Sequence, residues 1–547
     1  MAGTAARRRA FAATSAAGEG VAIGWLWRTD PPVGPSQPAD STMDGHDALT
    51  EAFTVVAADL GAMASDLALR GQPEAAQIVE STFLIAADPD LRSAAAAALA
   101  SGASPAEAVE QASEQFAAVL AQLPDSTLAG RTADVRSVCR RLVAVLSGVH
   151  RGAPPSGPLV LVGHEVTADD LLLHADVVVA ALTVLGGATS HAATIARSLG
   201  VPILFGIEPV LVEASEETEV LVDASTGQIV LRPDPRERAE ALAAAARVRE
   251  RRAELAANRD LPVRTRDGVE LIVQANVASR VDADLALAMG AAGVGLLRTE
   301  MPFLAAEQWP SRAEHLAQLS SMLRRLAGLP VTVRTLDFAD DKLPPFLRRG
   351  SSDPLGRSLP SDGVLPLGRS LPLMLREGEA FRQQVLAILA AGQAVDLQIM
   401  IPMVASAEEL RTCQTLVADA AAELGIEVPP VGAMIELPEA VAAISEIAEI
   451  AGFLALGTND LTASVLGLGR RDPALTTARV TEPAVLDAIA ATVEAGAARG
   501  IPVSVCGDAA SDASVLPALL AAGCRIFSVP PSMLDEVRAA LRSASLA

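Results

Sequence analysis

Asp176-Val177-Val178-Val179-Ala180-Ala181-Leu182, then Gly186-Gly187-Ala188-Thr189-Ser190-His191, then Ala192-Ala193-Thr194-Ile195-Ala196-Arg197, reads as a strand, a glycine turn and a helix in succession. The first run is apolar and β-branched, which suits a buried strand. Gly186 and Gly187 reach backbone angles that other residues avoid. Thr189 and Ser190 are good helix caps. His191 therefore stands at a helix N-terminus, where free N–H groups and the helix dipole stabilise a phosphate. An imidazole in that place can accept a phosphoryl group. It can equally cap or pack in a βα turn, and the local residues leave both readings open.

The same α/β segment extends outward on both sides. Leu159–Val162 opens it, and Ile203–Phe205 and Glu219–Val222 continue it to about Leu231. A further short strand, Gly20–Gly24, lies far upstream. Between them, from Asp47 to Val149, the period changes: Leu49, Phe53, Val56, Leu60 and Met63, then Ile78, Phe83 and Leu84, fall at helical spacing. Four or so helices would make a compact bundle inserted into the α/β unit, serving as packing or as a docking surface for a protein partner. Ser101 to Pro105 looks like a helix N-cap. Pro235 to about Asn258 is charged and reads as a connecting helix. The expected organisation is an α/β unit at 1–30 and 150–234, a helical insert at 31–149, a linker helix at 235–262 and a C-terminal domain at 263–547.

From Glu270 onward eight β-type runs alternate with helical segments: Leu271–Asn276, Gly293–Glu300, Val331–Asp337, Leu397–Val404, Val431–Glu436, Phe453–Asp460, Pro502–Gly507 and Arg525–Val529. Eight βα units over this length match a TIM (β/α)8 barrel. A doubly wound sheet is the competitor, because a sequence does not reveal closure.

In a barrel the chemistry sits at the C-terminal ends of the strands. Those ends here carry Arg298-Thr299-Glu300, Arg334 to Asp337 followed by Asp340-Asp341-Lys342, Glu436, Asn459-Asp460 with Arg470 downstream, and Cys506-Gly507. Each has an ordinary alternative: Arg298 and Glu300 can form a salt bridge, Glu436 can pair with a neighbouring strand, and Cys506 can be a small core residue. Their shared position is what speaks for a site. Glu436 and Asp460 supply hard oxygen ligands suited to Mg²⁺. Arg298, Arg334 and Arg470 can clamp a small phosphate-and-carboxylate substrate. Asn459 can donate to it, and Cys506 can deliver a proton to carbon.

The net charge of -23 argues against nucleic-acid binding and suits a basic protein partner. Cys139, Cys413, Cys506 and Cys524 form no CxxC pattern, which fits a reducing, cytoplasmic setting without disulfides or zinc. No apolar run is expected to span a membrane; the longest candidate, Val177 to Ala188, is short. Arg7-Arg8-Arg9 with Phe11-Ala12-Ala13 superficially suggests an export signal, but Gly18-Glu19-Gly20 breaks its apolar core.

Together these motifs resemble enzyme I of the bacterial phosphoenolpyruvate-dependent sugar phosphotransferase system, within the PEP-utilizing enzymes, over nearly the whole chain. Gly186–His191 is similar to the family's phosphohistidine signature, and Gly457-Thr458-Asn459-Asp460-Leu461 to its second signature. Gly295–Glu300, Gly432–Glu436 and Cys506-Gly507-Asp508 follow in order, and Thr132–Arg136 resembles the end of the carrier-binding subdomain. The resemblance implies that phosphoenolpyruvate binds in the barrel with Mg²⁺ on Glu436 and Asp460, held by Arg298, Arg334, Arg470, Asn459, Arg369 and Lys342. It implies that His191 is phosphorylated, that Cys506 protonates the pyruvate enolate, and that the His191 domain swings to deliver the phosphoryl group to the phosphocarrier HPr on the helical insert. It also implies a homodimer through the barrel.

Departures cluster at 339–372. Ala339-Asp340-Asp341-Lys342 replaces Gly-Gly-Asp-Lys, and Pro354–Pro360 is echoed by Pro366–Pro372, so that Arg357 and Arg369 both qualify as the substrate-facing arginine; spacing from Phe381 favours Arg369. Ser464 stands where a Tyr is common. Two further readings follow: a paralogous enzyme I feeding a regulatory or dihydroxyacetone relay, and a phosphoenolpyruvate-sensing binding protein without turnover.

Overall fold

The computed structural model describes residues 8–18, 20–29, 44–69, 73–122, 132–147, 157–187, 190–208, 210, 215, 218–304, 306–338, 344–348, 369–470, 472 and 474–546. Thr189, the 340–342 segment with Lys342, and Arg357 fall outside them, as does the His191 side chain. The chain divides into two compact units, Met1–Arg252 and Ala253–Ala547.

The first unit is an eight-stranded sheet with a helical insertion. Its strands are β1 Arg9–Ala12, β2 Ser15–Ala17, β3 Val21–Arg28, β4 Leu159–Gly163, β5 Val178–Thr183, β6 Ile203–Phe205, β7 Glu219–Asp223 and β8 Gln228–Leu231, in the order β1-β8-β7-β3-β4-β5-β6-β2. β3, β4, β5 and β6 run parallel, and the flanking pairs are antiparallel. The Arg9–Ala12 run, whose composition hinted at an export signal, is an edge strand on β8.

Between β3 and β4 lie helices Gly45–Leu69, Pro73–Ala86, Pro89–Ala100, Pro105–Gln122 and Thr132–Leu146. Their core includes the expected Leu49, Phe53, Val56 and Leu60. Leu84, assigned to the apolar face from spacing, is instead 61% exposed. The cap at 101–105 is a reciprocal box: Ser104 N–H donates to Glu107 Oε2 at 2.9 Å, and Glu107 N–H to Ser104 Oγ at 3.4 Å. Among the described residues one helical stretch, Gly45–Ser65, is long and apolar enough by composition to cross a membrane, rather than the 177–188 region.

Asp169, in the short helix Ala168–Leu173 after β4, joins the insert to the sheet. It is fully buried, with Ser137 Oγ donating to it at 3.5 Å and Arg141 forming an ion pair with it at 3.7 Å. Burial pushes its carboxyl up to about 6, against the pull of Arg141. The folded value lies above the ordinary 3.8. Its contribution to stability is therefore fully present below that value and is lost as pH rises through about 6. Asp169→Asn removes the ionisation, so we expect this unit to be stabilised by on the order of 2–3 kcal/mol at about pH 8 and little changed below about pH 4. Denaturant unfolding at the two pH values measures this; equal shifts at both would contradict it.

The second unit settles the choice between barrel and open sheet. Strands β9 Ile272–Val277, β10 Val294–Leu297, β11 Pro330–Arg334, β12 Asp396–Ile401, β13 Val431–Ile435, β14 Leu454–Gly457, β15 Val503–Cys506 and β16 Ile526–Val529 form one closed parallel ring. Closure is made by β16 on β9, with Val529 opposite Ala275. Successive side chains of a strand point to opposite faces. Leu297, Val333, Ile435 and Val505 pack in the large core cluster, while Leu296, Met400, Met434, Ala455 and Cys506 form a separate one with Phe453. This parity sends Arg298, Arg334, Glu436 and Cys506, each one residue from an outward-packed neighbour, toward the barrel axis at the strand ends.

Candidate active site at the barrel mouth

Arg334, the last residue of β11, is 7% exposed and lies between two carboxylates, with Glu300 at 2.7 Å and Asp337 at 2.8 Å. Burial opposes its charge, but Glu300, Asp337 and Glu436 outweigh that and hold the guanidinium firmly protonated. Nε of Arg298 and Nε of Arg334 are both buried with no hydrogen-bond partner among the described residues. Buried donors without partners are costly. Two on adjacent strand ends are suited to an anionic oxygen ligand. Gln384, in helix Gly378–Ala391, braces these ends: its side chain accepts from Leu336 N–H at 3.0 Å and donates to Thr299 Oγ1 at 3.1 Å. Thr299 in turn donates to the Arg334 carbonyl at 2.9 Å.

Glu436 follows β13 and is 1% exposed. Burial, then the charges of Asp337 and Asp460, hold its carboxyl well above the usual carboxylate range, against Arg334 and a 2.7 Å hydrogen bond from Met403 N–H. Asp460 lies not on a strand, as the run Phe453–Asp460 suggested, but in the first turn of helix Thr458–Leu466, since β14 ends at Gly457. It forms a two-pronged ion pair with Arg470. A Cβ on Gly457 would come within 2.8 Å of Glu436 Oε2, so the missing side chain leaves room at that oxygen.

Buried carboxylates that repel one another, with an open side, fit a hard divalent cation such as Mg²⁺. Among the described residues Glu436 and the partly buried Asp460 are the carboxylates that would hold such an ion, and there is no cluster of three or more His, Cys, Asp or Glu. Substrate oxygens and water would complete the shell.

Cys506 ends β15 opposite Gly457. Its thiol donates to the Leu456 carbonyl at 3.3 Å. Burial and then the Glu436 charge push it up to about 12, against Arg334 and Arg298, so it carries its proton at neutral pH. Asn459 is held by Asp508, donating to its Oδ2 at 3.1 Å and accepting from its N–H at 3.0 Å. Gly507, at φ +97°, allows this approach; a Cβ there would strike Thr458 Oγ1. Arg369 grips Glu409 at 2.9 and 3.0 Å and donates to the Met403 carbonyl at 3.0 Å. Its neighbour Ser370 donates to Asp337 at 3.2 Å.

Arg298, Arg334, Glu436, Asp460 and Cys506 act on one another electrostatically, Arg470 pairs with Asp460, and Arg369 joins through Met403. Gln384, Glu409 and Met403 were not anticipated from sequence. The first two sit inside amphipathic helices, and Met403 acts through its backbone, so no side-chain motif marks any of them.

Removing one member of the buried Arg334 group leaves two carboxylates uncompensated. We expect Arg334→Met to destabilise the barrel by about 3–5 kcal/mol, and Glu300→Gln with Asp337→Asn added to it to restore most of that. Denaturation midpoints measure it; unchanged stability of the single variant would contradict the burial argument.

In the first unit, helix His191–Leu199 begins at His191. Ser190 caps it, its Oγ accepting from Ala193 N–H at 3.2 Å. Gly186 turns the chain at φ +103°, where a Cβ would meet the Phe205 ring at 3.2 Å.

Three domain families match in chain order: PEP-utilising enzyme, N-terminal, at residues 14–131, PEP-utilising enzyme, mobile domain, at 155–227, and PEP-utilising enzyme, PEP-binding domain, at 252–546. A multiphosphoryl transfer protein of Rhodobacter capsulatus is 35% identical over 84% of this chain and 55% of its own length. One of Xanthomonas campestris is 33% identical over 97% of this chain and 63% of its own length, so the chain spans less than two thirds of the length of both relatives. A phosphoenolpyruvate-protein phosphotransferase of Streptomyces coelicolor is 35% identical over 89% of this chain and 86% of its own length. With all three domains present and the barrel-mouth chemistry in place, the chain belongs to the PEP-utilising enzyme family.

Proposed function

We propose that this chain is a phosphoenolpyruvate-protein phosphotransferase that loads its own His191 and passes the phosphoryl group to a histidine of the phosphocarrier HPr, the first step of phosphotransferase-system sugar uptake. The observation that carries the reading is the pair of buried arginine Nε donors, without partners among the described residues, beside Glu436, Asp460 and a protonated Cys506.

In this reading Arg298 and Arg334 bind phosphate oxygens, and Arg470, Arg369, Lys342 and Asn459 complete the grip on phosphate and carboxylate. Glu436 and Asp460 hold Mg²⁺, which neutralises substrate charge when bound. His191 Nε2 attacks phosphorus in line; the N–P bond forms as the P–O bond to the enol oxygen breaks. The electron pair leaves with the pyruvate enolate, and the Cys506 thiol gives its proton to the enolate carbon, yielding pyruvate. Water later returns a proton to the thiolate. Gly186, Gly187, Thr189 and Ser190 shape the phosphohistidine turn. The helical insert is the docking surface for HPr, and the chain works in the cytoplasm as a homodimer through the barrel.

The test uses phosphoenolpyruvate labelled in the phosphoryl group, with Mg²⁺ and the full chain. Acid-labile, base-stable label on the protein is expected, discharged by HPr. Phosphoenolpyruvate binding without any label would instead make the chain a sensor. Label that HPr leaves in place but another histidine carrier removes would redirect it to a paralogous relay.

A further inference from the structure

Two non-glycine residues among the described ones hold a left-handed backbone, Arg232 and Met403, and Met403 is at φ 53°. Such a conformation is uncommon outside glycine, and it persists where the surroundings over-determine it. Met403 lies just beyond β12, in the turn Pro402–Ser406 that leads into helix Ala407–Leu424. It is 7% exposed, and its neighbour Val404 is fully buried. The unusual angles aim both of its backbone polar groups into the site: N–H to Glu436 Oε1 at 2.7 Å, and C=O to Arg369 at 3.0 Å. The same turn carries Ala405 N–H, which donates at 2.8 Å to Glu409 Oε2, the oxygen that also receives Arg369. One short turn thus fixes a carboxylate and an arginine from two other segments.

We propose that Met403 is a positioning residue, whose left-handed backbone orients Glu436 for a divalent cation and ties Arg369 to the barrel rim. The proposal rests on the reading of Glu436 as a metal ligand. It is a claim about the backbone, so it separates substitutions by their tolerance of positive φ rather than by size. Valine, branched at Cβ, strongly resists this region, leucine bears the same cost as methionine, and glycine bears none.

The test measures Mn²⁺ binding to the full chain by electron paramagnetic resonance, with no substrate present and thermal melts in parallel. Met403→Val should bind Mn²⁺ roughly ten- to a hundredfold more weakly, the range typical when a ligand loses its outer hydrogen-bond partner. Met403→Leu and Met403→Gly should bind as the unchanged protein does. Met403→Val binding normally while Glu436→Ala does not would overturn the proposal and leave the metal reading intact. Met403→Gly as weak as Met403→Val would also overturn it, because the side chain would then be what matters. Should the glycine variant melt early, the valine and leucine pair still decides, since both keep apolar bulk and differ in backbone cost. Binding that survives Glu436→Ala sinks the metal reading, and this proposal with it.

Discussion

His191→Ala should take up no label from phosphoenolpyruvate, a complete loss rather than a reduction. An alanine has no nucleophile, and phosphoryl transfer depends on an acceptor placed in line with the leaving oxygen. The turn itself should survive, because Ser190 supplies the helix cap and Gly186 the bend. The barrel is a separate compact unit, so binding of phosphoenolpyruvate to the variant, followed by calorimetry, should be unchanged. Label of ordinary stoichiometry on the variant would place the acceptor elsewhere and end the phosphohistidine reading. Loss of substrate binding together with label would mean that the variant had damaged more than the nucleophile.

Cys506→Ala should cut pyruvate formation by about 10²–10⁴, the usual range for losing a positioned acid. The half-reaction between phospho-HPr and His191 should run at its normal rate, because it makes no enolate. Geometry predicts the split: Cys506 ends β15 at the barrel mouth, packed with Leu296, Met400, Met434 and Phe453, in the unit that does not contain His191. Its thiol, pushed up to about 12, stays protonated across the neutral range. The Cys506-dependent rate should therefore stay flat between about pH 6 and pH 9, where an ordinary thiol would begin to titrate. Rapid-quench kinetics of the two half-reactions separates them. Equal losses in both would show Cys506 to be structural.

Much of the architecture was legible because it is periodic. Eight apolar runs alternating with helical segments marked the barrel strands, and charged residues that ended them reappear at its mouth. Closure was not legible: the contact of Val529 with Ala275 joins residues remote in sequence, and no local pattern announces it. The sequence put Asn459 and Asp460 on a strand because the apolar run leads straight into them; the helix takes over at Thr458, before the expected run ends. Asp460 and Arg470 were assigned separately to metal and substrate, whereas the structure pairs them. The edge strands β1 and β2 are too short to carry a pattern, and partners acting through backbone atoms or from inside helices leave none.

The order of the first sheet has a consequence for how the chain comes off the ribosome. β1 and β3 are made first, yet their antiparallel partners β8 and β7 arrive about two hundred residues later, with Arg9 opposite Leu231 and Val21 opposite Asp223. Pairings so distant in sequence close slowly. The helical insert, made in between, needs only local contacts and can condense while the early strands wait. Trp25 and Trp27 of β3 wait about 130 residues for their parallel partner β4, and β1 and the other edge of β3 wait longer still. In that interval the nascent chain is most open to aggregation and most dependent on chaperones.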